Sequence, residues 1–381
     1  MLQHSISTRD SRRSRRDPTA PLRHLDPVLI GCTVILSIIG VLAVYSSTRG
    51  PGPEYSSSYL FKQTMFMIIG AGVMVVFTVV DYRKLHDWAW AFYGITTALL
   101  VLVISPLGSQ SNGAQSWFAL GPFQLQPAEF AKLSLIGVLS FLLSEFRGDI
   151  DLRRLFALLG TAAVPMALIM LQPDLGLTLI LVVISMAVLL VGGLPTKYIA
   201  VLTLVGVIGV VGALNSPVLA EYQRNRLTAF VNPDDKSNAA LYNIEQSQQA
   251  IANGRISGQG LFDGPQTKLG FVPEQETDFI FTAVAEQFGF IGSSLVLLLY
   301  GLLCFRIWRI AQVAKDSFGT YVCVGVLAMF AFSAFENVGM AMGIMPVTGI
   351  PLLLLSAGGS STITALAALG LVLNVHMRRF Q

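Results

Sequence analysis

The stretch Phe271–Glu286, FVPEQETDFIFTAVAE, marks the point where a long polar segment gives way to an apolar helix. Glu274, Glu276, Asp278 and Glu286 fall on the last residues outside that helix or the first inside it. The run that follows, Phe279–Phe305, is almost free of charge. It is long enough to cross about 30 Å of hydrocarbon, which takes roughly 20 residues. Acidic side chains at such a depth are costly to desolvate and tend to be functional. Two readings of Asp278 follow from the residues alone. It is a general base at the mouth of a cavity, or it caps the next helix by accepting a backbone N–H, a task Thr277 could take instead.

The same pattern recurs outward from this stretch. Hydrophobic residues make up 53% of the chain and charged residues 12%, against roughly a quarter charged in soluble domains. Apolar runs predict about ten spans, at Val28–Tyr45, Tyr59–Val80, Trp88–Ile104, Pro127–Leu143, Leu155–Leu171, Leu175–Val191, Tyr198–Leu214, Phe279–Phe305, Thr320–Gly343 and Ser361–Val375. The expected fold is an all-α polytopic membrane protein. An even number of spans puts both termini on one side, and the basic residues choose that side. RDSRRSRR (Arg9–Arg16), Arg83-Lys84, Arg147, Arg153-Arg154, Lys197, Arg306, Arg309, Lys315 and Arg378-Arg379 occupy one set of connections, whereas 105–126 and 343–360 hold no lysine or arginine. Cytoplasmic connections retain the positive charge, so both termini are predicted to be cytoplasmic.

Residues 1–26 then form a basic tail predicted to be disordered, and 27–381 a single transmembrane domain. Within it, 215–278 is a large extracytoplasmic loop between helices seven and eight. Leu241, Ile244 and Ile251 share a face there, predicting an amphipathic helix at the membrane surface. The segment GIMPVTGIPLLLLSAGGSS, from Gly343 to Ser361, is too apolar for an ordinary loop and too rich in proline and glycine for a helix. Non-helical backbone at membrane depth survives only where protein or a wet cavity satisfies it, so this stretch reads as a re-entrant segment lining a cavity.

Several chemistries are excluded. Cys32, Cys304 and Cys323 lie in or beside apolar runs, with no CxxC or HExxH pattern, which describes packed thiols. His4, His24, His86 and His376 all fall on the predicted cytoplasmic side. Chemistry on the other face must therefore rely on carboxylates, with arginine or lysine for negative charge. Arg224 and Arg226, in EYQRNRLTAFVNP, can grip a phosphate bidentately or anchor headgroups. Asp174 in LQPDLG is a helix cap or a site residue. Glu129 and Lys132 share a helix face and can pair. Glu286 and Glu336 are charges inside spans, functional by default, and no partner is evident for Glu336.

Six motifs stand in order along the chain. They are NGAQSWF with QPAEFAKL (112–133), LQPDLG (171–176), YQRNRLTAFVNP (222–233), YNIEQSQQAIANG (242–254), LGFVPEQETDFIF (269–281), and ENVGMAMGIMPVTGIP followed by SAGGSS (336–361). Together they resemble the SEDS family (shape, elongation, division and sporulation), its RodA-type members in particular. The resemblance implies ten transmembrane helices and a peptidoglycan glycosyltransferase of the bacterial cytoplasmic membrane, serving wall elongation and cell shape. Such an enzyme polymerises lipid II on the outer face beside a class B penicillin-binding protein. Membrane lipids are further expected partners, and nucleic acid is not. By the same resemblance Asp278 is the catalytic residue. Arg224, Arg226, Lys268, Glu274, Gln246, Ser247, Glu129, Lys132, Asp174, Ser356, Gly358 and Gly359 become substrate-binding candidates. A divalent cation, Mg or Mn, is the expected cofactor, with no organic one. Ser116, Leu353 and Ala357 depart from the family pattern. A lipid II flippase and a scaffold for the penicillin-binding protein are the rival readings.

Overall fold

The computed structural model describes residues 24–49, 58–111, 114–121, 123–214, 226 and 239–380. The basic tail up to residue 23 and Arg224 lie outside the described residues. Twelve helices are seen among the described residues: α1 (Pro27–Ser47), α2 (Ser58–Val79), α3 (Tyr82–Ile104), α4 (Pro127–Phe146), α5 (Leu152–Met170), α6 (Leu175–Val191), α7 (Thr196–Leu214), α8 (Ala239–Gly254), α9 (Pro265–Leu269), α10 (Ile280–Gln312), α11 (Ser317–Ala341) and α12 (Gly359–Met377). Eight are long and apolar enough to cross a membrane, and α6 and the Thr196–Gly206 part of α7 are shorter apolar helices. Each predicted span is therefore a helix.

Burial sorts these helices into centre and rim. Over its most apolar stretch α12 is 94% buried and α4 78%, against 11% for α2. Around this axis α12 lies along α2, α4 packs on α3, and α11 packs on both α10 and α6. Close approach of α2 to α12 needs Gly370, where an added Cβ would stand 2.5 Å from the Met74 carbonyl.

One departure from the predicted pattern is a small sheet. Within 105–126 the chain forms antiparallel strands β1 (Ser109–Ser111), β2 (Ala114–Leu120) and β3 (Phe123–Leu125), in the order β1-β2-β3. The fold is mostly helical, as expected, and this small sheet is an addition to it. Asn112-Gly113 between the first two strands is the short-range hairpin signal that announces it.

A second departure is in α10, which runs seven residues beyond the predicted Phe305 and bends at Gly289 (φ 64°, ψ −161°). A bend breaks helix hydrogen bonds, and their groups need new partners. Residues 255–260 supply them. The N–H groups of Gln259 and Gly260 donate to the carbonyls of Glu286 and Gln287, both at 3.0 Å, while Phe290 and Ile291 donate to Arg255 and Ile256 at 2.9 and 3.2 Å. The predicted amphipathic helix is α8. It buries Leu241 and Ile244, and its inner face packs on α10 and α11.

The two ends of the bundle differ. At one end Asp26 caps α1 and pairs with Arg306, Tyr82 donates to Asp316, and Arg378 stands 3.6 Å from Asp81. At the other, the first turns of α4, α6, α10 and α12 meet the segment between α11 and α12.

Candidate active site

Asp278 sits in a turn built by a single carbonyl. The Glu274 carbonyl accepts from the N–H groups of Thr277, Asp278 and Phe279 at 3.3, 3.0 and 3.4 Å. Glu274 itself adopts φ +50°, a conformation that costs a non-glycine residue free energy and is often found at functional sites. From below, buried Gln275 donates to Thr267 and Thr282 at 3.1 and 2.9 Å. The residue capping α10 is Phe279, with no side-chain cap. The capping role for Asp278 is therefore unfilled, and its half-buried carboxylate is left for other work. Burial lifts its pKa from 3.8 to about 6, and the nearby charges of Glu274 and Asp174 push the same way against the pull of Arg226 and Thr277.

The non-helical segment 342–358 forms the wall facing this carboxylate. Three of its carbonyls accept from side chains on the helices, the kind of partner that membrane depth demands. Gln63 donates to the Ser356 carbonyl at 3.2 Å, Asn337 to that of Ile350 at 2.8 Å, and Tyr300 to that of Leu353. Gly349 (φ +78°) is the point of contact: an added Cβ there would lie 3.2 Å from both Arg226 Nη1 and Asp278 Oδ2. Guanidinium and carboxylate thus meet over the same glycine. Asn337 fixes this arrangement, because the same amide also donates to the Asp278 carbonyl at 2.7 Å. Ala357 N–H adds a second tie, to the Glu276 carbonyl at 2.7 Å.

Behind this wall lies a buried charged layer. Lys132 Nζ and Glu129 Oε2 are 2.7 Å apart, with the lysine side chain fully buried. Asp174 caps α6 through the Leu177 N–H at 2.9 Å and faces Gln126 Nε2 at 3.4 Å. Burial raises its pKa, helped by Glu129 and opposed by Lys132, Arg226 and its own cap. Glu336, without an evident partner in the sequence, accepts from Thr348 at 2.9 Å, which ties α11 to the 342–358 wall. Gln126 N–H reaches Ser360 Oγ at 3.0 Å, which brings the start of α4 against the start of α12.

The predicted residues therefore divide. Asp278, Glu274, Arg226, Asp174, Glu129 and Lys132 form one electrostatic cluster. Ser247 and Ser356 spend their hydroxyls on structure, on the Ala341 carbonyl at 2.6 Å and the Leu352 N–H at 2.9 Å. Gly359 makes room for the Phe66 ring, 2.5 Å from where a Cβ would stand, and Gly358 precedes it as the N-cap of α12. Lys268 is exposed on α9, 3.9 Å from Asp263, and Gln246 is half-buried on α8. Glu286 accepts from Gln266 N–H, Thr267 N–H and Thr267 Oγ1 at 2.8, 2.9 and 2.6 Å. It anchors α9. Ser116, one of the departures, holds the Gln172 carbonyl at 3.4 Å, beside the Pro173-Asp174 turn.

Asn337, Gly349 and Thr348 are the residues that sequence reasoning passed over, although all three lie inside a quoted motif. As for a divalent cation, no group of three or more His, Cys, Asp or Glu side chains converges among the described residues as a protein cage would require. Asp278 and Glu274 alone do not make one.

Comparison with known proteins places this site in context. The profile of the cell cycle protein family FtsW/RodA/SpoVE matches residues 26–381. Stage V sporulation protein E of Bacillus subtilis is 37% identical over 356 residues, covering 92% of this chain and 96% of that protein. Peptidoglycan glycosyltransferase RodA of Treponema pallidum is 33% identical, covering 93% and 98%. Among solved structures, the rod shape determining protein RodA of Thermus thermophilus superposes with a TM-score of 0.71 at 30% identity, over 94% of this chain and 98% of that one. A chain of a complex described as a peptidoglycan synthase that coordinates polymerization and crosslinking gives 0.78 at 32%, over 94% and 99%. Apolar helices and relatives agree on a multi-pass membrane protein. The chain belongs to the FtsW/RodA/SpoVE family of cell cycle proteins.

Proposed function

We propose that this chain is a peptidoglycan glycosyltransferase that joins lipid II disaccharides into glycan strands. The observation that carries the proposal is the Asp278 carboxylate, freed from capping, raised to a pKa of about 6 and set beside Arg226 over Gly349. A general base works best with a pKa close to the operating pH.

In the reaction, Asp278 takes the proton from the acceptor's GlcNAc 4-hydroxyl. The oxygen's electron pair attacks the anomeric carbon of the donor MurNAc, and the bond to undecaprenyl pyrophosphate breaks with its electrons on the leaving group. Direct displacement inverts the centre, so one carboxylate suffices and no covalent glycosyl-enzyme is formed. Positive potential must meet the departing pyrophosphate. Arg226 supplies a full charge. The N-termini of α4 and α12, neither of which has a side-chain cap, add the positive ends of their helix dipoles.

The names of the relatives support this reading, as does the neighbouring complex that couples polymerization to crosslinking. The expected partner is therefore a class B penicillin-binding protein. The site would face the outside of the bacterial cytoplasmic membrane, away from the arginine-rich end, in keeping with the retention of positive charge inside. The test is purified protein in vesicles with fluorescent lipid II. Glycan polymer from the wild type and none from Asp278→Asn supports the enzyme. Translocation of the lipid without polymer would make the chain a flippase, and undiminished polymer from the variant would remove Asp278 from the mechanism.

A further inference from the structure

At the end of the bundle opposite Asp278, the last turns of α10 and α12 enclose a concave pocket of about 370 Å³. Three arginines line it. Arg306 also holds Asp26, Nε to Oδ2 at 2.9 Å. Arg309 is exposed, and among the described residues it donates to Gln312 Oε1 at 3.5 Å. Arg379 contacts His376 Nε2, with its guanidinium 4.6 Å from the centre of the Phe380 ring. Asp26 is fully buried and already accepts from Val28 N–H, Leu29 N–H and Arg306. No other carboxylate among the described residues lies within ion-pair distance of these arginines. Among the described residues the pocket therefore carries an excess of positive charge.

A rule that merely keeps positive charge on one side of a membrane is met by arginines spread in water. Here Arg309 and Arg379, with no carboxylate within ion-pair distance among the described residues, share one hollow with the Asp26-paired Arg306, and an anion would relieve their repulsion. The hollow also has apolar walls, Ile310, Val313 and Phe380 among them. Leu302 and Phe305 stand one helical turn before Arg306 and Arg309, on the same strip of α10, and are 40% and 50% exposed. Toward the middle of the bundle the strip is greasy, and at its end it is cationic. A ligand with a phosphate head and hydrocarbon tails matches both parts, whereas a free phosphate would use only the head site.

We propose that this pocket is a binding site for an anionic phospholipid, its phosphodiester on Arg309 and Arg379 and its acyl chains along Leu302 and Phe305. Basic pockets between membrane helices hold such headgroups elsewhere.

The experiment is binding to the full-length protein in neutral detergent, with phosphatidylglycerol against phosphatidylcholine of the same acyl chains, read by native mass spectrometry. Phosphatidylglycerol is expected to bind more tightly, and R309E/R379E to weaken it by roughly tenfold or more, since each basic residue contributes appreciably to such binding. R309K/R379K is expected to retain most of the affinity, and phosphatidylcholine binding to stay unchanged in both variants. Because Arg309 is exposed and weakly bonded, R309Q offers a version of the test that does not threaten the fold, and a melting curve accompanies each variant. Equal binding of the two lipids, or unchanged phosphatidylglycerol binding in folded R309E/R379E, overturns the proposal. So does displacement of the lipid by an equal concentration of inorganic phosphate, which would mark a plain anion site.

Discussion

At the scale of single residues, Asp278 is held at a cost. Its folded-state pKa of about 6 lies above the ordinary 3.8, so folding favours the protonated form. The destabilisation is complete above about 6, fades between the two values and is absent below 3.8. Asp278→Asn, which mimics the neutral acid, is therefore expected to raise the melting temperature at pH 7.5 by a few degrees, with the gain gone at pH 4. The same change should lower polymerisation by roughly 10²–10⁴-fold, the usual worth of a general base. In the wild type, activity should climb with pH through about 6 as the carboxylate ionises. A flat profile from pH 5 to 8 would contradict the assignment. Gly349 gives an independent check. A methyl group there would press on both Arg226 and Asp278 in a backbone conformation that L residues avoid. Gly349→Ala should abolish most activity while costing about 1 kcal/mol of stability, as read by thermal melting.

At the scale of elements, the start of α4 carries the Glu129–Lys132 pair out of water. Lys132→Met strands a buried carboxylate and should destabilise the protein by about 3–5 kcal/mol, whereas Glu129→Gln with Lys132→Met should recover much of that loss. A comparison of melting curves for the single and double variants checks this. The helices themselves were legible from sequence, because about 20 apolar residues in a row have few other fates. The sheet at 109–125 was not, since its strands are short, lack a clear apolar–polar alternation, and only Asn112-Gly113 signalled a turn. Nor was the bend at Gly289, because a glycine in an apolar run looks the same whether or not a distant loop comes to replace the broken bonds. The turn that carries Asp278 stood out through its motif. Its meeting with Arg226 over Gly349 was not, because that contact joins three segments far apart in the chain. Asn337 was likewise invisible as a clamp, since an asparagine within a span does not show which carbonyls it will reach.

At the scale of the whole molecule, the site draws on α4, α6, α10, α11 and the segment before α12, so its shape depends on the entire bundle. A divalent cation, if used, would find no cage of three or more protein ligands among the described residues. Magnesium in that situation keeps most of its water and rests on substrate phosphates. Chelation is then expected to slow polymerisation without lowering the melting temperature of the substrate-free protein. A marked fall in that temperature with EDTA would instead reveal a structural metal.

The most enclosed helix, α12, is also made after every helix it touches. Until Gly359–Met377 is made, the slot that α2, α4 and α11 line is unfilled, and the strip of chain that faces Asp278 is anchored to the bundle from one side only. The bundle is therefore expected to close, and the wall of the site to be fixed at both ends, only when this last-made helix has inserted.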